Sequence, residues 1–157
     1  MKGNAKLIEA LNDVLTAELT GIHQYFIHSK MCENWGFGRL EAASHTEAID
    51  EIKHADELIE RILFLEGVPN MQRLAKVKVG ETVPQQLKLD HTQEVEAVTR
   101  LNQAVKLAVE VEDNGTRELL EKILVSEEEH VNWLEAQLEL IRQVGEQNYL
   151  SEQIHKA

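Results

Sequence analysis

The sequence predicts an all-α chain: a four-helix bundle with one long crossover between helices two and three and a short fifth C-terminal helix. Three observations predict it. Aromatic residues make up only 4% of the 157 residues and there are two prolines, Pro69 and Pro84. That composition suits long Leu/Ile/Val/Ala/Glu-rich helices better than strands with frequent turns. Apolar residues recur at helical spacing along four long segments, and one connection, Gly67–Thr82, is far longer than the others.

The first helix is expected over about 4–35, with Asn4 as its N-cap and Leu7, Leu11, Leu15, Ile22 and Tyr25 as its apolar stripe. The second runs over about 39–66, with Ala48, Ala55, Leu58, Ile62 and Leu65 on one face and Gly67 then Pro69 as its stop. The third, over 83–112, opens on Thr82-Val83-Pro84-Gln85, which reads as a capping box with proline in the first turn. Thr116 is the expected cap of the fourth, over 116–145, and a short amphipathic segment follows over 148–154. All of this is expected to form one domain over 1–157.

The 16 residues from Gly67 to Thr82 can span at most about 50 Å. A second helix of the proposed length is about 42 Å long. The connection can therefore climb the full bundle and let helix three run parallel to helix two. Leu74, Val77 and Val79 are the residues expected to pack it down.

Charge and cysteine content narrow the function. The formal net charge is −12, with 28 acidic against 16 basic residues and no basic stripe, so nucleic-acid binding is not expected. Cys32 is the only cysteine and can form no intrachain disulfide. Without an apolar leader or a bilayer-length apolar run, the chain reads as cytoplasmic, with no membrane partner.

The chemistry lies in the helix seams. Glu18 interrupts the stripe of helix one, and Glu51 and His54 interrupt that of helix two. Glu94 interrupts helix three, and Glu127 and His130 interrupt helix four. Unpaired charges in a core are strongly unfavourable, whereas carboxylates and neutral imidazoles are good ligands for first-row divalent ions. Glu18 precedes Glu51 by 33 residues and Glu94 precedes Glu127 by 33, and each later Glu is followed three positions on by His. The midpoints of both pairs fall at or near the expected turns, so each antiparallel hairpin brings its three ligands to one height. One Glu-x-x-His is a weak signal; two copies with partner glutamates at equal offset predict a two-metal centre, the ligand set of di-iron and di-manganese carboxylate bundles.

Other residues take plainer readings. Tyr25, a heptad after Glu18, is either core packing or a redox partner of the metals. Trp133 is read as packing. His91 is either an outer partner of the site or a buried, bonded histidine. His23, His28, His45 and His155 are read as surface residues, with His45, Glu47 and Asp50 as a weak cation cluster, and Cys32 as inert.

Over nearly its whole length the sequence resembles bacterioferritins, of the ferritin-like superfamily. The resemblance rests on Gln24-Tyr25-Phe26-Ile27-His28-Ser29, Asn34-Trp35-Gly36, Ile49-Asp50-Glu51, Lys53-His54-Ala55-Asp56, the run Glu60 to Gly67, Glu127-Glu128-Glu129-His130, Trp133-Leu134-Glu135 and Asn148-Tyr149-Leu150. It implies iron storage in a hollow 24-subunit shell built on two-fold dimers, with a ferroxidase centre for two irons inside each bundle. Glu18, Glu51 and His54 would serve one iron and Glu94, Glu127 and His130 the other, with Glu51 and Glu127 bridging. Tyr25 matches the family's tyrosine beside the centre, an electron donor. A ferredoxin-like reductant would drive iron release.

Two positions depart from the family pattern. The haem-ligating methionine that follows the bridging glutamate of helix two is Ile52 here, and isoleucine has no donor atom. Met31 and Met71 do not occupy the matching position. A shell of this chain alone is therefore expected to lack bis-methionine haem b or to hold haem only loosely through pocket contacts, whereas a mixed shell with a haem-binding partner subunit would restore some sites. The family's inner-surface histidine is Thr46 here, which removes a ligand from any auxiliary iron site. Alternative readings are another ferritin-like di-metal redox enzyme of peroxidase or catalase type, a subunit that works only in a mixed shell, or a metal-free helical protein. Cys32 alone rules out an appended Cys-x-x-Cys iron module.

Overall fold

A computed structural model describes residues 1–155; the expected domain end at 157 lies outside the described residues. The elements are α1 (Ala5–Trp35), α2 (Gly38–Phe64), α3 (Val83–Glu110), α4 (Asn114–Val144) and α5 (Glu146–Gln153), with no strand among the described residues. Among those residues no helix is long and apolar enough to cross a membrane.

Local chemistry sets the boundaries. Asn4 caps α1, its side chain accepting from the N–H groups of Lys6 and Leu7 at 2.9 and 3.1 Å. At the end of α2 the left-handed residue is Glu66 (φ 63°), one position before the expected glycine. Gly67 is needed there for close approach instead, since a Cβ on it would lie 2.7 Å from Ile8 Cγ2. Thr82 accepts from Gln85 N–H at 3.3 Å. The reciprocal half of the expected capping box is absent, because Gln85 Oε1 takes the N–H of Glu81 at 2.9 Å. Thr116 does not cap α4. Asp113 does, accepting from the Thr116 N–H at 3.0 Å and its hydroxyl at 2.7 Å. Arg61 of α2 then clamps Asp113 at 2.8 Å, a charge-assisted bond that favours the earlier position.

α1 pairs with α2 and α3 with α4 as two hairpins, and two apolar clusters hold them together. The larger includes Leu7, Leu11, Leu15, Leu58, Ile62, Leu101, Leu120 and Ile123. The smaller, at the other end, comprises Cys32, Leu40, Val83, Leu87, Leu134 and Tyr149. Between them lies the layer of Glu18, Glu51, His54, Glu94, Glu127 and His130, all buried. On α3 the inward residue one turn before Glu94 is Asp90, which is buried; His91 is only half-buried and bonds Glu135 Oε2 of α4 at 2.9 Å.

The crossover climbs alongside α1, but not on the apolar residues expected to pack it. Leu74 and Val79 are exposed, and of the three only Val77 is partly buried. Side chains spaced four apart on α1 bind it instead. Asn12 Oδ1 accepts from Asn70 N–H at 2.7 Å, Thr20 Oγ1 from Ala75 N–H at 3.0 Å, and Gln24 Oε1 from Lys78 N–H at 3.2 Å. His28 Nε2 accepts from Gly80 N–H at 3.0 Å, and Arg73 of the crossover donates to Thr16 Oγ1 at 2.8 Å. His28, read from sequence as a surface residue, is thus fully buried. A chain without secondary structure must satisfy its backbone donors somewhere, and this ladder does so.

Candidate metal centre

Each helix contributes one turn. Glu18 of α1, Glu51 and His54 of α2, and Glu127 of α4 have ligand atoms all within 4.8 Å of one another. Glu51, Glu94 of α3, Glu127 and His130 of α4 form a second such group. Glu51 and Glu127 are common to both, so the layer has the form of two adjoining sites sharing two carboxylates.

The histidines face inward through Nδ1. That of His54 lies 3.1 Å from Glu127 and 3.4 Å from Glu18. That of His130 lies 3.7 Å from Glu94 and 3.8 Å from both Glu51 and Glu127. His130 Nε2 turns the other way, 2.5 Å from Glu47 and 3.4 Å from Asp50. Those two carboxylates fix the ring as outer partners fix metal-bound imidazoles. Glu47, Asp50 and His130 are also close enough to form a third cluster. It uses His130 where the sequence suggested His45, which is exposed.

The electrostatics are those of a cation site holding protons. Burial pushes the Glu51 and Glu94 carboxyls above the usual range, and neighbouring glutamates push the same way. Burial alone would lower the histidines. Contacts with Glu127 and Glu18 outweigh it and hold His54 up at about 10, and Glu47 and Glu94 hold His130 up at about 11. Four buried atoms of the layer lack a hydrogen-bond partner: Glu51 Oε1, Glu94 Oε2, Glu127 Oε1 and His130 Nδ1. Orphaned oxygens and an imidazole nitrogen around one space are what divalent ions of the first row satisfy.

Tyr25 closes the site on the α1–α3 side, its hydroxyl donating to Glu94 Oε1 at 2.5 Å. Burial, then the charges of Glu94, Asp90 and Glu51, raise its pKa well above that of a free phenol. Trp133 and Tyr25 line one small cavity together with Glu47. Cys32 is buried and donates to Gln86 Oε1 at 3.3 Å, burial pushing its thiol up to about 12.

Comparison with known proteins gives this geometry a family. The family described as "Ferritin-like domain" matches residues 8–144. The bacterioferritin of Mycobacterium bovis is 44% identical over 149 residues, 95% of this chain and 94% of that protein. That of Streptomyces coelicolor is 42% identical over 96% of this chain and 90% of its own length. The bacterial ferritin of Synechocystis is 43% identical over 98% and 99%. The chain belongs to the bacterioferritin family.

In this member of the family the structure brings together all six seam residues singled out by spacing, with Tyr25 beside them. It separates His91, His45 and His23 from them. Asp90 is a neighbour of the layer that the sequence does not single out; Glu47 and Asp50, read as a weak cation cluster with His45, and His28, read as a surface residue, are neighbours too. Their signal is weak. Glu47 and Asp50 stand four residues before Glu51 and His54, a spacing that any acidic helix offers by chance. His28 is visible only as the last rung of the Asn12-Thr16-Thr20-Gln24-His28 spacing.

Proposed function

We propose that this chain stores iron, and that the six-residue layer is its ferroxidase centre, taking two Fe(II) ions as substrate in each subunit. The observation that carries this is the pair of four-residue groups sharing Glu51 and Glu127. Glu18, Glu51 and His54 would bind one ion, and Glu94, Glu127 and His130 the other. Two ions held side by side can each give one electron to one oxidant, so that H2O2 is reduced to water, or O2 to H2O2, without a released radical. The chain supplies geometry and a place for protons. Its carboxylates attract the ions, and the protons resident on His54, His130 and the crowded glutamates must leave as the ions enter. Tyr25, bonded to Glu94, is the oxidisable group next to the centre and serves as an additional electron donor.

Product Fe(III) would pass to a mineral inside a shell of 24 copies in the cytoplasm, with a ferredoxin-like reductant for release. Self-association is supported by α2, which leaves Ile49, Ile52 and Leu63 exposed on one helical face. The same face bears on haem. Ile52 offers no donor atom, the Met31 sulfur lies 3.7 Å from Gln86 Nε2 against α3, and Met71 sits in the crossover. The residues present do not fit bis-methionine haem, so a shell of this chain alone would lack it. A mixed shell with a methionine-bearing partner subunit would carry it at some positions.

Stopped-flow oxidation of Fe(II) tests the central reading. The wild type is expected to show a fast phase that saturates at two Fe(II) per chain. Absence of such a phase would refute the assignment.

A further inference from the structure

Gly21 lies in the middle of α1, three residues after Glu18 and four before Tyr25, so its Cα faces the metal layer. Glycine inside a helix costs about 1 kcal/mol relative to alanine. Packing explains its presence. A Cβ at this position would lie 2.8 Å from Gln93 Nε2, 2.9 Å from Glu51 Oε2 and 3.4 Å from the Glu51 carboxyl carbon. The bare Cα is thus a notch into which α2 sends a ligand and α3 sends a carboxamide. Gln93 immediately precedes Glu94, and its Oε1 is buried without a hydrogen-bond partner. It shares a cavity of about 110 Å³ with Glu18, Glu51, Glu94 and Glu127, which reaches the surface at the exposed Lys76 and Lys78 of the crossover. That is room for about three waters.

We infer that Gln93 is a positioning residue for Glu51, and that Gly21 provides the space in which it acts. The Gln93 amide nitrogen and the Glu51 carboxylate both border the space that a Gly21 Cβ would take, at 2.8 and 2.9 Å from it. The carbonyl oxygen points into the cavity, where it accepts from water on the way to the centre. Glu51 would bridge both ions, so its orientation affects both at once. This inference rests on the ferroxidase reading, and neither residue is itself a metal ligand.

The experiment uses the full-length protein, titrated with Co(II) under its visible absorption, followed by stopped-flow Fe(II) oxidation. Wild type, Gly21→Ala, Gln93→Leu and the double variant are compared, with folding checked by thermal melting. Wild type is expected to bind two Co(II) per chain; fewer would sink the di-metal reading itself. Given two, each single variant is expected to change the Co(II) band shape and weaken the second equivalent about tenfold, the scale seen for outer partners of metal ligands. Because both would act on the one Glu51 carboxylate, the double variant should be no worse than the worse single. Unchanged spectra in both singles, or losses that multiply in the double, would overturn the inference while leaving the metal centre standing.

Discussion

The Tyr25 hydroxyl donates to Glu94 Oε1 at 2.5 Å, joining an oxidisable side chain of α1 to a metal-facing carboxylate of α3. The phenol is fully enclosed, and burial together with Glu94, Asp90 and Glu51 resists its ionisation. Oxidation of Tyr25 would therefore have to move its proton along with its electron, and Glu94 is the acceptor in place. Tyr25→Phe should keep two Co(II) sites and most of the first fast oxidation, but slow later mineral growth. It should also cost about 1 kcal/mol of stability from the lost hydrogen bond, read by denaturant unfolding. Normal mineral growth would remove the electron-donor role.

Ligand removal acts on the first turnover. Glu94→Ala and His130→Ala should each abolish the fast phase, a loss of at least about a hundredfold, because the ion they share would be left with fewer protein ligands and oxidation needs both ions. Stopped-flow traces matching the wild type would refute the assignment of these residues.

Proton release gives a pH test whose sign is fixed. His54 at about 10 and His130 at about 11 are protonated at neutral pH in the metal-free protein. Ion binding needs them neutral, so it must expel protons and tighten as pH rises from about 6 to about 8. Calorimetry of Co(II) binding in buffers of different ionisation enthalpy should show net proton release. For the metal-free fold the linkage runs the other way. Raised histidine pKa values contribute stability that is fully present below about 6.5 and fades as pH climbs through about 10 to 11.

The crossover ladder is testable away from the metals. His28→Ala removes a buried ring that accepts from Gly80 N–H at 3.0 Å and bonds Asp90 Oδ1 at 2.9 Å. The expected cost is about 2–4 kcal/mol, with faster hydrogen exchange at the Gly80 amide. Exchange at the Gly80 amide no faster than in wild type would show that the loop is held by something else.

How much of this is legible in the sequence depends on period. The six ligands stand out because they break a 3.6-residue apolar stripe at matched heights, and the fold follows from the four stripes and one long connection. Between the inward-facing Leu87 and Glu94 of α3 helical spacing allows either Asp90 or His91 on the seam, and the position that turns inward is Asp90. Apolar residues are the natural anchors to expect for the crossover, yet its backbone donors dictate its course and α1 supplies acceptors every fourth residue. Cap choice at Asp113 over Thr116 depends on Arg61, 52 residues away, which no local pattern reveals.

Anomalous diffraction at the iron edge, from crystals soaked anaerobically in Fe(II), tests the di-metal centre most directly. Two peaks per chain are expected, one beside Glu18 and His54, one beside Glu94 and His130, with Glu51 and Glu127 between them. A single peak, or none within this layer, would contradict it.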